Sequence, residues 1–323
     1  MIGRSMEALV LMLAIAAAAL FAFFVSGFAT WPNLSNLAQN SASLMILSCG
    51  MAMVIMTRGL DLSQIAVMTA ASTAFGVLLT GGHGVGSALV AALATAVVLG
   101  ILNGWLVAYF EIPSLLATLA TAMLITGGIR WGLLQGEFLV LLPKDDPFIV
   151  AISSGRILGV PLSAVIALGI LAVTGFILSR TIVGRTIYSM GDNIGAARLT
   201  GLPVRAVTLV TYVFAAIAAL IAGIVVASSS GAVDFRTVTN GTLLFEVIMV
   251  VVLGGVSLRG GRGSILSIIA GVFLIAVLRN GMTLMNLSTQ LQGLIMGMTL
   301  ITAIVIDNHR NPRDPETETQ GDL

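Results

Sequence analysis

The chain has 323 residues, of which 58% are hydrophobic and 9% charged, with a formal net charge of +1. A soluble domain is about a quarter charged, and mean hydropathy here is +1.07. This arithmetic excludes a water-soluble globule, a disordered chain, a coiled coil and a nucleic-acid binder, and it leaves an integral membrane protein of many spans.

In chain order, no Asp, Glu, Lys or Arg occurs within residues 8–57, 62–110, 112–129, 157–179, 206–233, 263–278 or 280–306. A helix needs about 20 apolar residues to cross the hydrocarbon. The runs do not alternate, so they are helices rather than strands of a barrel. Arg4 and the apolar stretch after it have the outline of a signal peptide. No clear cleavage site follows before Phe28, Trp31 and Pro32, so this stretch is expected to remain as the first span. Breakers cut the long runs. Trp31-Pro32-Asn33 separates spans near 8–26 and 41–57, and the Gly-Gly-His-Gly at 81–84 separates 63–80 from 86–109. Pro113 opens a span near 114–132, and residues 133–159 are too polar to cross. Further spans are expected near 160–179, 206–228, 243–258, 264–279 and 290–306. The expectation is an all-α integral membrane protein of about ten transmembrane helices, one domain over 1–306, with a polar tail over 307–323.

Ten crossings put both termini on one side. With the N-terminus inside, ten of the 15 basic residues (Arg4, Arg58, Arg180, Arg185, Arg198, Arg205, Arg259, Arg262, Arg310, Arg313) lie inside. That agrees with the positive-inside rule. A faint echo links Asn103-Gly104 with Asn280-Gly281, at junctions of opposite orientation. An inverted five-plus-five repeat would produce it, and so would chance.

Three inside segments carry information. The loop 181–204 is longer than the two to eight residues that usually join helices. Within it, Asp192 and Asn193 are N-cap types, 194–199 can form a short helix, Gly201 suits a left-handed C-terminus, and Pro203 stops continuation. The small residues Ala196 and Ala197 would let such a helix press into a cleft on a partner. The turn 58–63 holds Arg58 and Asp61, the latter a helix cap or part of a docking surface. The segment 254–264 has five glycines with Arg259 and Arg262 and reads as a tight basic turn. It is no P-loop, because the sole lysine is Lys144, followed by Asp145.

Catalytic and metal chemistry find little purchase. The two histidines, His83 and His309, are far apart, and the single Cys49 lies in an apolar run, where it reads as a small buried hydrophobe. Glu246 is the one candidate for an intramembrane carboxylate of the kind that couples transport to protons or sodium.

Taken together, the blocks Gly50–Ser63, Gly184–Leu202 and Val252–Gly263 resemble the permease subunits of bacterial ABC importers for ribose, arabinose, xylose and autoinducer-2. The likeness covers nearly the whole chain. It departs at Gln64-Ile65, at Ile194 and at Glu246–Val251, where an acidic residue of the family pattern is missing. The resemblance implies a multi-pass subunit of the bacterial inner membrane, without cofactor or ATPase site of its own. Its implied partners are a cytoplasmic ATP-binding subunit, a periplasmic solute-binding protein and a second permease subunit. The implied substrate is a small sugar-like solute. The ATPase-coupling residues would be Gly191, Asp192, Asn193, Ala196, Ala197, Arg198 and Gly201, with further contacts at Arg58, Asp61, Arg259 and Arg262. The alternative is an ion-coupled secondary transporter, which would need buried carboxylates.

Overall fold

The computed structural model describes residues 2–310. The helices are α1 (Ile2–Phe24), α2 (Trp31–Met56), α3 (Gln64–Thr80), α4 (Val85–Ala108), α5 (Ser114–Gly132), α6 (Pro147–Ser154), α7 (Leu162–Arg180), α8 (Ile182–Asp192), α9 (Ile194–Leu199), α10 (Val204–Ser230), α11 (Arg236–Asn240), α12 (Thr242–Leu253), α13 (Ile265–Leu284) and α14 (Thr289–Arg310). Four short strands, β1 (Leu139–Leu141), β2 (Arg156–Ile157), β3 (Val160–Pro161) and β4 (Ala232–Asp234), make two antiparallel pairs, β1 with β4 and β2 with β3.

Seven helices among the described residues are long and apolar enough to cross a membrane: α1 from Met6, α2, α4, α5, α7, α10 and α13. Two more, α3 and α12, are apolar but shorter. Two expected boundaries move. Trp31-Pro32 does not precede the second span but begins it, because a proline at N1 or N2 lacks only an N–H that the first turn leaves unpaired. The eighth span does not reach 258. It stops at Leu253, 12 residues long, or about 18 Å at 1.5 Å per residue. Helix α14 runs to Arg310, and residues 311–323, most of the expected tail, lie outside the described residues.

Helices α2, α3 and α10 form the centre. From Leu44 to Met56 nearly every residue of α2 is buried, and so is most of α3. Around them α4 packs on α10 through small residues: its buried positions are Ala88, Ala92, Ala96, Gly100, Asn103, Gly104 and Ala108. Without a hydrophobic drive between helices in lipid, such a stripe lets backbones approach closely. Cys49 is buried, as expected.

The connections sort to two ends. At one, the turns at 57–63, 109–113, 181–203 and 254–264 meet. At the other lie the paired strands β1 and β4, helix α6, capped by Asp146, and the start of α2. There Arg156 Nη1 donates to Ser35 Oγ at 2.9 Å and Gln39 Nε2 to the Ser153 carbonyl at 2.8 Å. These are called below the near and the far end.

Candidate functional site

The three sequence blocks singled out above converge at the near end. Arg58 holds a left-handed backbone (φ 65°), which aims its side chain across the turn. Its Nε donates to the Gly191 carbonyl at 2.9 Å, and its Nη2 donates to the Asp192 carbonyl. Those are the last carbonyls of α8, which have no partner inside the helix, so a guanidinium is well matched to them. Gly261 N–H donates to the Met56 carbonyl at 2.9 Å, which ties the glycine-rich turn to the end of α2. Tyr188 OH donates to the Gly263 carbonyl at 2.9 Å. The glycines at 260, 261 and 263 have φ of 80°, 69° and 151°, values a side chain disfavours, and the turn can lie flat on α8 for that reason.

This joint carries α9. Asn193 caps it, its Oδ1 accepting from Ala196 N–H at 2.9 Å, and Gly201 closes it at φ 77°. Asp192, expected to share the capping, is instead the last residue of α8. Arg198 and, from α10, Arg205 both reach Glu111 Oε1, at 3.3 and 3.2 Å. Both pairs are half-exposed, and the one from Arg198 ties α9 to the α4–α5 turn only weakly.

Exposure redistributes the expected roles. Ala197 is buried against its own chain, so it cannot enter a partner's cleft: the helix turns that face inward to pack on the bundle. Gly191 is likewise internal. Ala196 and Asn193 face outward. So does Leu199, which is 90% exposed and which sequence reasoning passed over. A large apolar side chain set between Arg198 and Thr200 at the helix end was the signal for it. Arg259 and Arg262 are exposed beside Leu258.

Asp61, expected either to cap the helix that follows or to join a docking surface, is 2% exposed, which disfavours the second role. The side chain turns inward because Ser63 satisfies it: Oδ1 accepts from Ser63 N–H at 2.9 Å and from Ser63 Oγ at 2.6 Å. Burial lifts its carboxyl to about 6. Ser63 Oγ in turn accepts from Asn103 Nδ2 at 2.7 Å, and Asn103 Oδ1 accepts from Thr121 Oγ1 at 2.6 Å. Thr118 joins the same region, accepting from Leu62 N–H at 3.0 Å. The turn that clasps α8 is therefore bonded through a buried chain to α4 and α5. Glu246, at the far end, is paired with Arg279, Nη1 to Oε2 at 2.7 Å.

Comparison with known proteins agrees with this architecture. A family described as "Branched-chain amino acid transport system / permease component" matches residues 33–304. The L-arabinose transport system permease protein of Escherichia coli is 30% identical, over 90% of this chain and 86% of its own length. The autoinducer 2 import system permease protein of an Enterobacter species is 31% identical, over 90% and 83%. A probable ABC transporter permease of Sinorhizobium fredii is 29% identical, over 88% and 84%. No solved structure matches. The match begins in the first turn of α2 and ends within α14, so it takes in the near-end joint and every helix that builds it. The chain belongs to this family of transport-system permease components.

Proposed function

We propose that this chain is the membrane-spanning subunit of an ATP-driven importer for a sugar-like solute in the bacterial inner membrane. One observation carries the reading: three blocks far apart in sequence close into a single joint that holds a short, capped helix, α9, out from the bundle. A protein that needed only to connect α7 to α10 would not lock this segment to two other turns. The relatives named for arabinose and autoinducer-2 transport support the sugar-like substrate. ATP would be hydrolysed by a cytoplasmic subunit seated on α9, with Arg259 and Arg262 beside it. A periplasmic solute-binding protein would meet the far end, and a second permease subunit would complete the path. The ion-coupled alternative loses its best residue, because Glu246 is already paired with Arg279.

The topology belongs to the same proposal: ten crossings with α3, α12 and α14 counted, both termini cytoplasmic, and inverted halves in which Asn103-Gly104 and Asn280-Gly281 correspond. Cysteines placed at Asp146 and at Asn193 are then expected to label from opposite sides of the membrane, with Asn193 cytoplasmic. Labelling of both from one side would refute the map.

Leu199 supplies the test of coupling. An exposed substitution on an unpartnered surface usually changes stability by less than about 0.5 kcal/mol. Leu199→Glu is therefore expected to leave the subunit folded. In the complete importer it should cut both copurification of the ATP-binding subunit and ATP-dependent uptake by tenfold or more. Ala197→Glu is a poorer probe, since it puts a charge inside the chain. Wild-type binding and uptake in Leu199→Glu would remove α9 as the docking element.

A further inference from the structure

At the near end a cavity of about 200 Å³ opens beside α9. Four segments wall it: the turn after α2 (Thr57 to Gly59), the α4–α5 junction (Val107 to Ser114), the α8–α9 corner with Arg198, and the start of α10 (Val204 to Tyr212). The volume is below the roughly 300–1,000 Å³ of sites for whole small molecules, so the cavity suits one compact group.

The side chains say which. Arg58, Arg198 and Arg205 line the cavity, and among the described residues lining it there is no carboxylate. Arg58 spends its Nε and Nη2 on backbone carbonyls, which leaves its charge unbalanced. Arg198 and Arg205 share a single carboxylate oxygen, Glu111 Oε1, through one nitrogen each. A guanidinium has five N–H donors, so most of theirs stay open. Such planar forks match the oxygens of a phosphate, which each holds by two parallel bonds.

The floor adds an independent sign. Tyr212 is 1% exposed, and its hydroxyl makes no hydrogen bond of regular geometry, although Ser114 stands beside it. A methyl at Gly59 would lie 3.0 Å from that oxygen. Gly59 and Ser114 both line the cavity, so the hydroxyl ends at its wall. Ser114 Oγ accepts from Leu60 N–H at 3.1 Å and keeps its own proton to give. Buried polar groups are nearly always bonded. An open hydroxyl in a wall that also carries three guanidiniums has the place of a donor to an anion. The Asp61 carboxylate, near Tyr212, is bonded to Ser63.

The rim has the character of a membrane surface. Trp105, Tyr109 and Phe110 are about half exposed, and the Arg205 guanidinium lies over the Tyr109 ring, 5.9 Å from its centre. Exposed Trp and Tyr at a helix end mark the headgroup level. A phosphate reaches that level in two ways, on an anionic lipid or on a small phosphorylated solute in the water beside it.

We propose that this cavity binds a phosphate group, clamped by Arg198 and Arg205 at the mouth and by Tyr212 at the floor. The occupant would bridge α9 to α10 and to the α4–α5 junction. The proposal does not depend on the importer reading.

The test uses the full-length chain purified in an uncharged detergent. The probes are phosphatidylglycerol, water-soluble glycerol 3-phosphate, and dioleoylglycerol, which lacks the phosphate. Native mass spectrometry reads lipid binding, and calorimetry reads glycerol 3-phosphate. At least one phosphate probe should bind, and Arg205→Gln and Tyr212→Phe should each weaken it by about tenfold. Arg185→Gln, at an exposed arginine outside the cavity, should not. Tyr212→Phe keeps the ring and removes only the hydroxyl, so it should fold, and it decides alone if Arg205→Gln does not. That pattern with phosphatidylglycerol names a lipid as the source, and with glycerol 3-phosphate a solute. Binding of neither phosphate probe, equal binding of dioleoylglycerol, an equal loss in Arg185→Gln, or full affinity in either cavity variant would each overturn the proposal.

Discussion

Replacing Gly191 with alanine should abolish coupled transport, although a single methyl group is added. The new Cβ would overlap the Met56 carbonyl oxygen and the Gly261 amide nitrogen. Those two atoms are bonded to each other, so neither can yield independently. Relief requires α8 to move off the turn, and Arg58 then loses its bonds to the carbonyls of Gly191 and Asp192. Hydrogen bonds from a charged donor contribute about 1.5–3 kcal/mol each. Arg58 is exposed, which discounts its two bonds, so with the backbone bond included the cost is about 3–5 kcal/mol, at the extreme of single substitutions. The loss falls on the joint that orients α9, so copurification of the ATP-binding subunit and ATP-dependent uptake should both fall to background. Gly195→Ala is the matched control. Its Cβ would approach only Asn193 Oδ1, at 3.3 Å, and alanine is the better helix former by about 1 kcal/mol. It should keep wild-type uptake. Full uptake in Gly191→Ala would show that the joint can open without consequence, and the coupling role assigned to it would fall.

The second large effect is expected at Gly100. A Cβ there would stand 2.8 Å from Ala216 Cβ and 2.8 Å from Val213 Cα, and one at Gly104 would stand 2.8 Å from Leu209 Cα. Both glycines mark the close crossing of α4 with α10. Gly100→Leu would force the helices apart along the whole stripe of Ala92, Ala96 and Gly104. Overpacking alone costs about 1–3 kcal/mol. The separation would also strain Asn103, whose bonds to Ser63 and Thr121 need α4 in place. A loss of about 3 kcal/mol or more is expected, read as a lower midpoint of thermal unfolding in detergent. Gly127→Ala on α5, where nothing lies near the added carbon, should leave that midpoint unchanged. A Gly100→Leu protein as stable as Gly127→Ala would mean that α4 and α10 are free to slide.

The long charge-free runs already dictate helices in a membrane, since few other structures satisfy their backbone there. The capped segment after Asn193 is equally local. Its N-cap type, its six helical residues, Gly201 and Pro203 are adjacent in the chain, and each acts on its immediate neighbours. Those features were legible, and α9 stands where they put it.

Sidedness within the bundle was decided elsewhere. Ala197, expected to press into a partner, is buried, and so is Asp61, expected to be a helix cap or a docking residue. Leu199, which the sequence did not single out, is exposed. Arg58 meets α8 across 133 positions of sequence, and Glu246 meets Arg279 across 33. In water a helix announces its buried face by burying its apolar residues. In lipid the outside is as apolar as the inside, so hydrophobicity marks the span and not the face. Which face packs then depends on shape, on small residues such as Gly100 meeting a neighbour's backbone, and that neighbour is chosen only when the chain has folded.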